Sequence, residues 1–381
     1  MLLEAPALDE RELAVRARID ELGDSLRFQL RTPNRWTGAL RRTTFARNVQ
    51  GSNSIEGIHA SVDDVAAIAA GEKPPSVSEE TERALAGYQL AMTYVLQLAK
   101  SASIDLNVTL INALHFMIGS YDLTRMPGRL RDRPVYVLDE RTRDIVHEGA
   151  DAAKLPELMA EITDAASNPG DRLIAAAMAH LNFVLVHPYL DGNGRTARVL
   201  QALVLAGDAE PQPLFMSIEE YLGTHTPAYY DVLAKVGGGE WPPKDMRPEA
   251  VRPWIRFVLT AHLNQAEERV ERIRASGEAY SALENMARRD GLPERSLEAV
   301  FDVLLGSTIT RGRYLAALTE AGEPISEQTA TRDLTALVQV GLLSRSGDKR
   351  GARYSAGKRT IELRDQLGLG RVRRDVEPFA D

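Results

Sequence analysis

Twelve residues near the middle of the chain could do chemistry together: His187, Pro188, Tyr189, Leu190, Asp191, Gly192, Asn193, Gly194, Arg195, Thr196, Ala197 and Arg198. They supply a titratable imidazole, a carboxylate, a carboxamide between two glycines, and two guanidiniums. That set suits a site that grips a polyphosphate, holds a divalent cation and moves a proton. Gly192, Asn193 and Gly194 fall where a helix should open, ahead of the apolar face of Val199, Leu200 and Leu203. Free N–H groups and the helix dipole favour an anion there. The glycines let the backbone approach phosphate oxygens with no Cβ in the way. Arg195 and Arg198, three apart, share one helical face and could clamp successive phosphates. Asp191 suits a hard cation such as Mg²⁺, which takes few protein carboxylates and completes its shell with phosphate and water. His187 could accept a proton from an attacking hydroxyl. No Gly-Lys-Ser/Thr follows, so this is not a P-loop. Singly, each group has an ordinary reading, such as a histidine answering a helix dipole or a solvated arginine pair. Their conjunction makes that account a poor one.

The elements that must position these groups are helical. Pro188 stops a helix over Asp171 to Val186, and a second opens at Arg195 and runs to Ala206. Helical patterns also cover Glu10 to Leu26, Thr44 to Val49, Ser61 to Ala70, Glu79 to Leu98 and Val108 to Met117. Others cover Leu155 to Ala166, Thr226 to Lys235 and Pro248 to Ser276. One segment differs. Pro134 to Leu138 and Ile145 to His147 are β-favouring runs about a charged turn, Asp139 to Asp144, and predict a hairpin that needs something to lie against. Past Leu297 the order is helix, short helix at Arg311 to Glu320, a helix capped by Ser326, and a basic loop from Arg345 to Tyr354. That order resembles a winged helix-turn-helix.

The chain has 381 residues, enough for two or more cores, and a formal charge of −8, which argues against a coat of nucleic acid but permits a local basic patch. With no cysteine there are no disulfides or thiolate metal sites, which fits a cytoplasmic protein. The start lacks an apolar h-region, so no signal peptide is expected. The most apolar stretch, Leu173 to Val186, contains His180 and Asn182 and reads as a core helix, with no membrane span expected.

The twelve-residue stretch resembles the signature of the Fic (filamentation induced by cAMP) family, HPFx(D/E)GNGRxxR, with Tyr189 in place of Phe. The resemblance covers roughly Asn107 to Asn264. It implies a mainly α fold, a Fic-type helical bundle with a β-hairpin flap, joined to a C-terminal winged helix-turn-helix domain. The parts are then an N-terminal helical region (1–106), a catalytic domain (107–276) and a C-terminal domain with its tail (277–381). It also implies an adenylyltransferase that moves AMP from ATP to a Ser, Thr or Tyr hydroxyl of a target protein or of itself, releasing pyrophosphate.

By motif position His187 is the general base and Asp191 holds Mg²⁺. Gly192, Asn193 and Gly194 form the anion hole, Arg195 supports the phosphates, and Arg198 engages the γ-phosphate. Tyr229 and Tyr230 resemble the family's aromatic pair near the nucleotide, and the hairpin over 134–147 resembles the flap that binds a target by β-addition. Ser52 to Gly57 resembles the inhibitory motif (S/T)xxxE(G/N), which implies that Ser52 and Glu56 lie at the site and that Glu56 takes the place of the γ-phosphate on Arg198. In some members the same glutamate aligns a water that removes AMP. Homodimers are common among relatives, and transfer of UMP, phosphocholine or phosphate stays open. The alternative function is a DNA-binding regulator whose Fic domain senses nucleotide, using Arg345, Lys349, Arg350, Arg353, Lys358 and Arg359, although such modules also dock proteins.

Overall fold

The computed structural model describes residues 1–31, 34–101, 103–139, 142–167, 170–206, 213–348, 351–369 and 374–380. Four helices come first: α1 (Glu10–Arg31), α2 (Thr37–Ile55), α3 (Val62–Ala69) and α4 (Glu79–Leu98). Helix α2 extends well past the predicted Thr44 to Val49 on both sides. Its sequence is poor in strong helix formers, so packing must hold it. Ala39 and Leu40 enter one core, Ala46 and Val49 another. Helix α3 opens with a capping box between Ser61 and Asp64.

Next come α5 (Val108–Gly119), strands β1 (Tyr136–Leu138) and β2 (Ile145–Glu148), then α6 (Leu155–Ser167), α7 (Arg172–Val186) and α8 (Asn193–Leu205). Helix α7 is capped by Asp171 and buried along nearly its whole length, as a central core helix should be. Among the described residues, no helix is long and apolar enough to cross a membrane. The strands pair antiparallel, Tyr136 with Glu148 and Val137 with His147. The hairpin does find something to lie against. Glu148 N–H donates to Gly239 O at 2.9 Å, Trp241 N–H donates to Glu148 O at 3.0 Å, and His147 Nε2 donates to the Leu185 carbonyl at 2.6 Å. Glu140 and Arg141 of the expected turn lie outside the described residues.

Two short helices, α9 (Pro213–Met216) and α10 (Glu219–Thr224), precede α11 (Thr226–Gly237). They are too brief for apolar periodicity to signal. A single 39-residue helix follows, α12 (Arg252–Asp290), running unbroken through the division expected after Ser276. Its first part, Trp254 to Ala266, packs with α7 and α11, while Ile273 to Ala287 packs with the C-terminal elements. Those are α13 (Leu297–Leu304), α14 (Arg311–Glu320), α15 (Glu327–Gln339), β3 (Leu343–Ser346), β4 (Arg353–Ala356) and α16 (Lys358–Gln366). Ser326 caps α15 by accepting from Thr329 N–H. Strands β3 and β4 form an antiparallel hairpin, and Ile309 bridges to Tyr354 beside it. Lys349 and Arg350 of the expected basic loop lie outside the described residues.

Helices α2 and α10 meet at glycines. A Cβ on Gly51 would strike the Glu219 carbonyl, and one on Gly223 would lie 2.6 Å from Gly51 Cα. Backbones this close leave no room for a methyl group. Gly223→Ala should therefore cost about 1–3 kcal/mol, the usual range for overpacking. Chemical denaturation measures it, and an unchanged midpoint would refute the tight crossing.

Candidate functional site

His187 ends α7 in the left-handed region, at φ 53° and ψ 62°, an unusual conformation for a residue with a Cβ. The turn brings Nδ1 to 3.1 Å from the Val184 carbonyl. A carbonyl only accepts, so Nδ1 carries the hydrogen and Nε2 keeps its lone pair. Burial, with His147 and Arg131 nearby, outweighs the Val184 bond and the Glu56 charge and pushes the His187 pKa down to about 4. The imidazole is therefore neutral near pH 7, the form a base requires.

Sequence reasoning missed Arg131, which is buried and donates Nε to the His187 carbonyl at 2.8 Å. Its other nitrogens reach the carbonyls of Arg133, at 2.8 Å, and Ala150. One guanidinium thus ties the base of the hairpin to the loop. Nothing in the local pattern Arg-Asp-Arg-Pro distinguishes it from a solvated arginine.

The loop is braced from inside. Asn193 Oδ1 accepts from Tyr189 N–H and Nδ2 donates to Tyr189 O, both at 2.9 Å. The carboxamide therefore closes the turn, leaving only the Asn193 backbone for an anion. Tyr189 is fully buried and stacks on His115 with ring centroids 3.6 Å apart. Its hydroxyl donates to Asn112 Oδ1 at 2.6 Å, so tyrosine here has a partner that phenylalanine would lack. His115, also missed, accepts from Gly128 N–H at Nδ1 and donates from Nε2 to the Asp191 carbonyl, each at 2.8 Å. Burial pushes its pKa down to about 4, matching that neutral tautomer.

The first intrahelical bond of α8 runs from Thr196 N–H to Gly192 O. The N–H groups of Asn193, Gly194 and Arg195 precede it and face out of the helix end. Glu56 lies against the first turn of this helix: a Cβ on Gly194 would collide with its Oε1. The same Oε1 accepts from Arg198 Nη2 at 2.7 Å. Arg198, 2 % exposed, also donates Nε to Ser52 Oγ at 2.7 Å and Nη2 to Ser52 O at 3.0 Å. Burial works to raise the Glu56 carboxyl, but Arg198, then Arg195 and His187, outweigh it and hold it below the usual range.

Arg195 lies over Tyr121, 5.7 Å from the ring centroid, and donates to its hydroxyl at 3.3 Å. Arg195 Nε and Nη1, and Arg198 Nη1, are buried without a hydrogen-bond partner. Buried donors of this kind call for an anion. Asp191 is exposed beside them and accepts from Gly192 N–H at 2.7 Å. Among the described residues no group of three or more metal-ligating side chains forms. One carboxylate fits Mg²⁺ only in the manner of a nucleotide-borne ion, with phosphate and water completing the shell.

The aromatic pair divides. Tyr229 is 1 % exposed, its hydroxyl is 2.8 Å from His180 Nε2, and its ring packs against Trp254 and Phe257. Tyr229 is thus packed in the core in this state. Tyr230 is 47 % exposed, and its hydroxyl donates to Ile55 O at 3.0 Å, at the residue before Glu56.

The Fic/DOC family profile matches residues 105–205. Protein adenylyltransferase fic-1 of Caenorhabditis elegans is 29% identical over 167 residues, covering 40% of this chain and 29% of the relative. Protein adenylyltransferase Fic of Nematostella vectensis is 25% identical over 276 residues, covering 67% of this chain and 59% of the relative. The chain thus spans less than two thirds of either. A solved Fic family protein from Desulfovibrio desulfuricans matches 97% of this chain and 100% of its own, with TM-score 0.58 at 21% identity. Fic-1 from C. elegans matches 70% of this chain and 73% of its own, with TM-score 0.51 at 24% identity. These structural likenesses speak for the fold. Loop, fold and profile agree: the chain carries a Fic/DOC family domain.

Proposed function

We propose that this chain is a protein adenylyltransferase that rests in a self-inhibited state. The 2.7 Å contact of Glu56 Oε1 with Arg198 Nη2, beside Gly194 on the first turn of α8, carries the reading. A guanidinium nitrogen bound to a carboxylate is unavailable to a γ-phosphate. The names of the relatives support AMP as the group transferred and a protein as its acceptor.

In the reaction, His187 Nε2 takes the proton of a target hydroxyl. The freed oxygen bonds to the α-phosphorus of ATP, the bond from that phosphorus to the bridging oxygen breaks, and pyrophosphate leaves. The α8 N–H groups and Arg195 hold the phosphates, and Arg198 orients the γ-phosphate once Glu56 withdraws. Asp191 is the residue that would hold Mg²⁺, whose charge would offset that of the phosphates. The target strand would add to the hairpin at β1, because the outer edge of β2 is engaged at Glu148 by Gly239 and Trp241. Tyr136 and Leu138 on β1, with Ile145 and Val146 on β2, give the hairpin exposed apolar surface. Glu56 could also align a water for AMP removal, in which case Glu56→Gly abolishes release from a pre-modified target.

A compatible second reading concerns the C-terminal module. Thr331, Arg332 and Thr335 are exposed on α15 and Arg345 is exposed on the hairpin, as a DNA-contacting winged helix would require. A gel shift with duplex DNA that weakens as salt rises would support it.

Glu56→Gly should raise incorporation of labelled AMP into the protein itself. Adding His187→Ala should then lower the rate by roughly 10²–10⁴-fold. Equal labelling of wild type and Glu56→Gly would refute inhibition, and full labelling without His187 would refute the base.

A pH titration tests the base directly. Its pKa of about 4 means that His187 stays neutral as pH falls through 6.5 and gains charge only near 4. Labelled-histidine NMR, assigned against His187→Ala, should show that midpoint. Removing Glu56, whose charge raises the value, should lower it further. A midpoint near 6.5 would contradict the buried imidazole.

A further inference from the structure

Glu56 lies in the short connection between α2 and α3, and the C-terminal module holds both helices. On α2, Arg42 Nη2 donates to both oxygens of Asp302 at 3.1 Å, and Nη1 donates to Glu320 at 3.0 Å. On α3, Asp63 Oδ1 accepts from Arg313 Nη1 and from Thr308 N–H, both at 2.9 Å. Arg313 Nη2 also donates to Asp63 O at 3.2 Å. Just past α3, Thr310 donates to Glu72 at 2.5 Å, and Arg313 Nε lies 3.2 Å from the other Glu72 oxygen. The Arg313 side chain is only 9 % exposed, so water screens this cluster far less than it would a surface pair.

The apolar packing agrees with the polar contacts. Trp36, Ala39 and Leu40, at the start of α2, belong to the same core as Leu297, Phe301, Leu334 and Leu363 of the module. The opposite end of α2 carries Ser52 and Glu56. Nineteen helical residues span roughly 28 Å. Such a helix transmits a tilt imposed at one end to the other.

We propose that the C-terminal module is part of the inhibitory lock: its grip on α2 and α3 holds Glu56 on Arg198, and loosening that grip opens the site with no change to any residue in it. This rests on the adenylyltransferase reading for its consequence, but not for its geometry. Two states are in exchange, with Glu56 in or out, and the module's contacts favour the first. Anything that docks on the module and strains the Arg313 cluster would be read at Arg198. Arg313 and Asp63 are thus positioning residues, remote from the reacting atoms.

The test is Asp63→Asn, which keeps shape and loses charge, beside Arg313→Gln, each in the full chain. ATP affinity by calorimetry and labelled AMP incorporation are measured together. Both variants should bind ATP about 5- to 30-fold more tightly than wild type, the factor that a bias of ~1–2 kcal/mol represents. Incorporation should rise with affinity. In the Glu56→Gly background neither substitution should change affinity, because there is no lock left to loosen. Should either variant fail to fold, Glu72→Gln removes the carboxylate charge beside Arg313 and Thr310 and should give a smaller shift in the same direction. Folded variants that bind ATP as weakly as wild type, while Glu56→Gly binds it tightly, would overturn the proposal, as would equal gains with and without Glu56. If affinity rises as expected but no variant transfers AMP, the adenylyltransferase reading falls and the lock stands.

Discussion

A guanidinium sealed from water has to be neutralised by something, and here that group is Arg198. Leaving a buried charge unpaired by removing its partner costs about 3–5 kcal/mol. At rest Glu56 supplies the negative charge and Ser52 supplies two acceptors. Glu56 therefore cannot simply drift away, because its departure strands the charge it leaves. A phosphate arriving as the carboxylate leaves removes that penalty. On the proposed function, nucleotide entry and Glu56 withdrawal become one exchange of anions on a fixed cation. The unpartnered Nη1 of the same group adds to the demand.

Two long helices carry this constraint through the molecule. Helix α12 contributes to the core around α7 at one end and to the C-terminal core at the other. Helix α2 does the same over a shorter span and ends at the contested arginine. Its crossing with α10 is close enough to require glycine on both sides. Close packing of this kind has little compliance. The position of Glu56 is therefore set by how α2 is seated, more than by the local preferences of the residues around it.

Features set by adjacent residues were legible in the sequence. Pro188 stops α7, the glycines open α8, Ser326 caps α15, and the alternation around Asp139 to Asp144 marks a hairpin. Each depends on neighbours within a few positions. What stayed hidden depends on distant partners. The length of α2 comes from two cores that cover it, and its own residues are weak helix formers. The run of α12 past Ser276 overrides the stop that Gly277 would locally suggest, and the helix ends at Gly291, which has positive φ. Arg131 and His115 bond carbonyls more than fifty residues away, in the loop itself, and no spacing rule connects them to it. Tyr229 and Tyr230 are adjacent and chemically identical, yet one is core and the other meets α2. Only the rotation of α11 separates them.

The loop also shows which half of the proposed chemistry Glu56 can control. The hydrogen bonds that set His187 come from Val184 and Arg131, and those that close the turn come from Asn193, Tyr189 and His115. None of them involves Glu56. The lone pair of Nε2, the neutral state of the imidazole and the shape of the helix end are already in place with the carboxylate bound. What the carboxylate changes is the partner of Arg198 and the space over Gly194, where phosphates would lie. Inhibition in the proposed mechanism is therefore a matter of nucleotide alignment, imposed on a base that is ready beforehand. On that mechanism the site is switched without rearranging its buried loop, which would require breaking several internal hydrogen bonds together. Moving one helix end is enough.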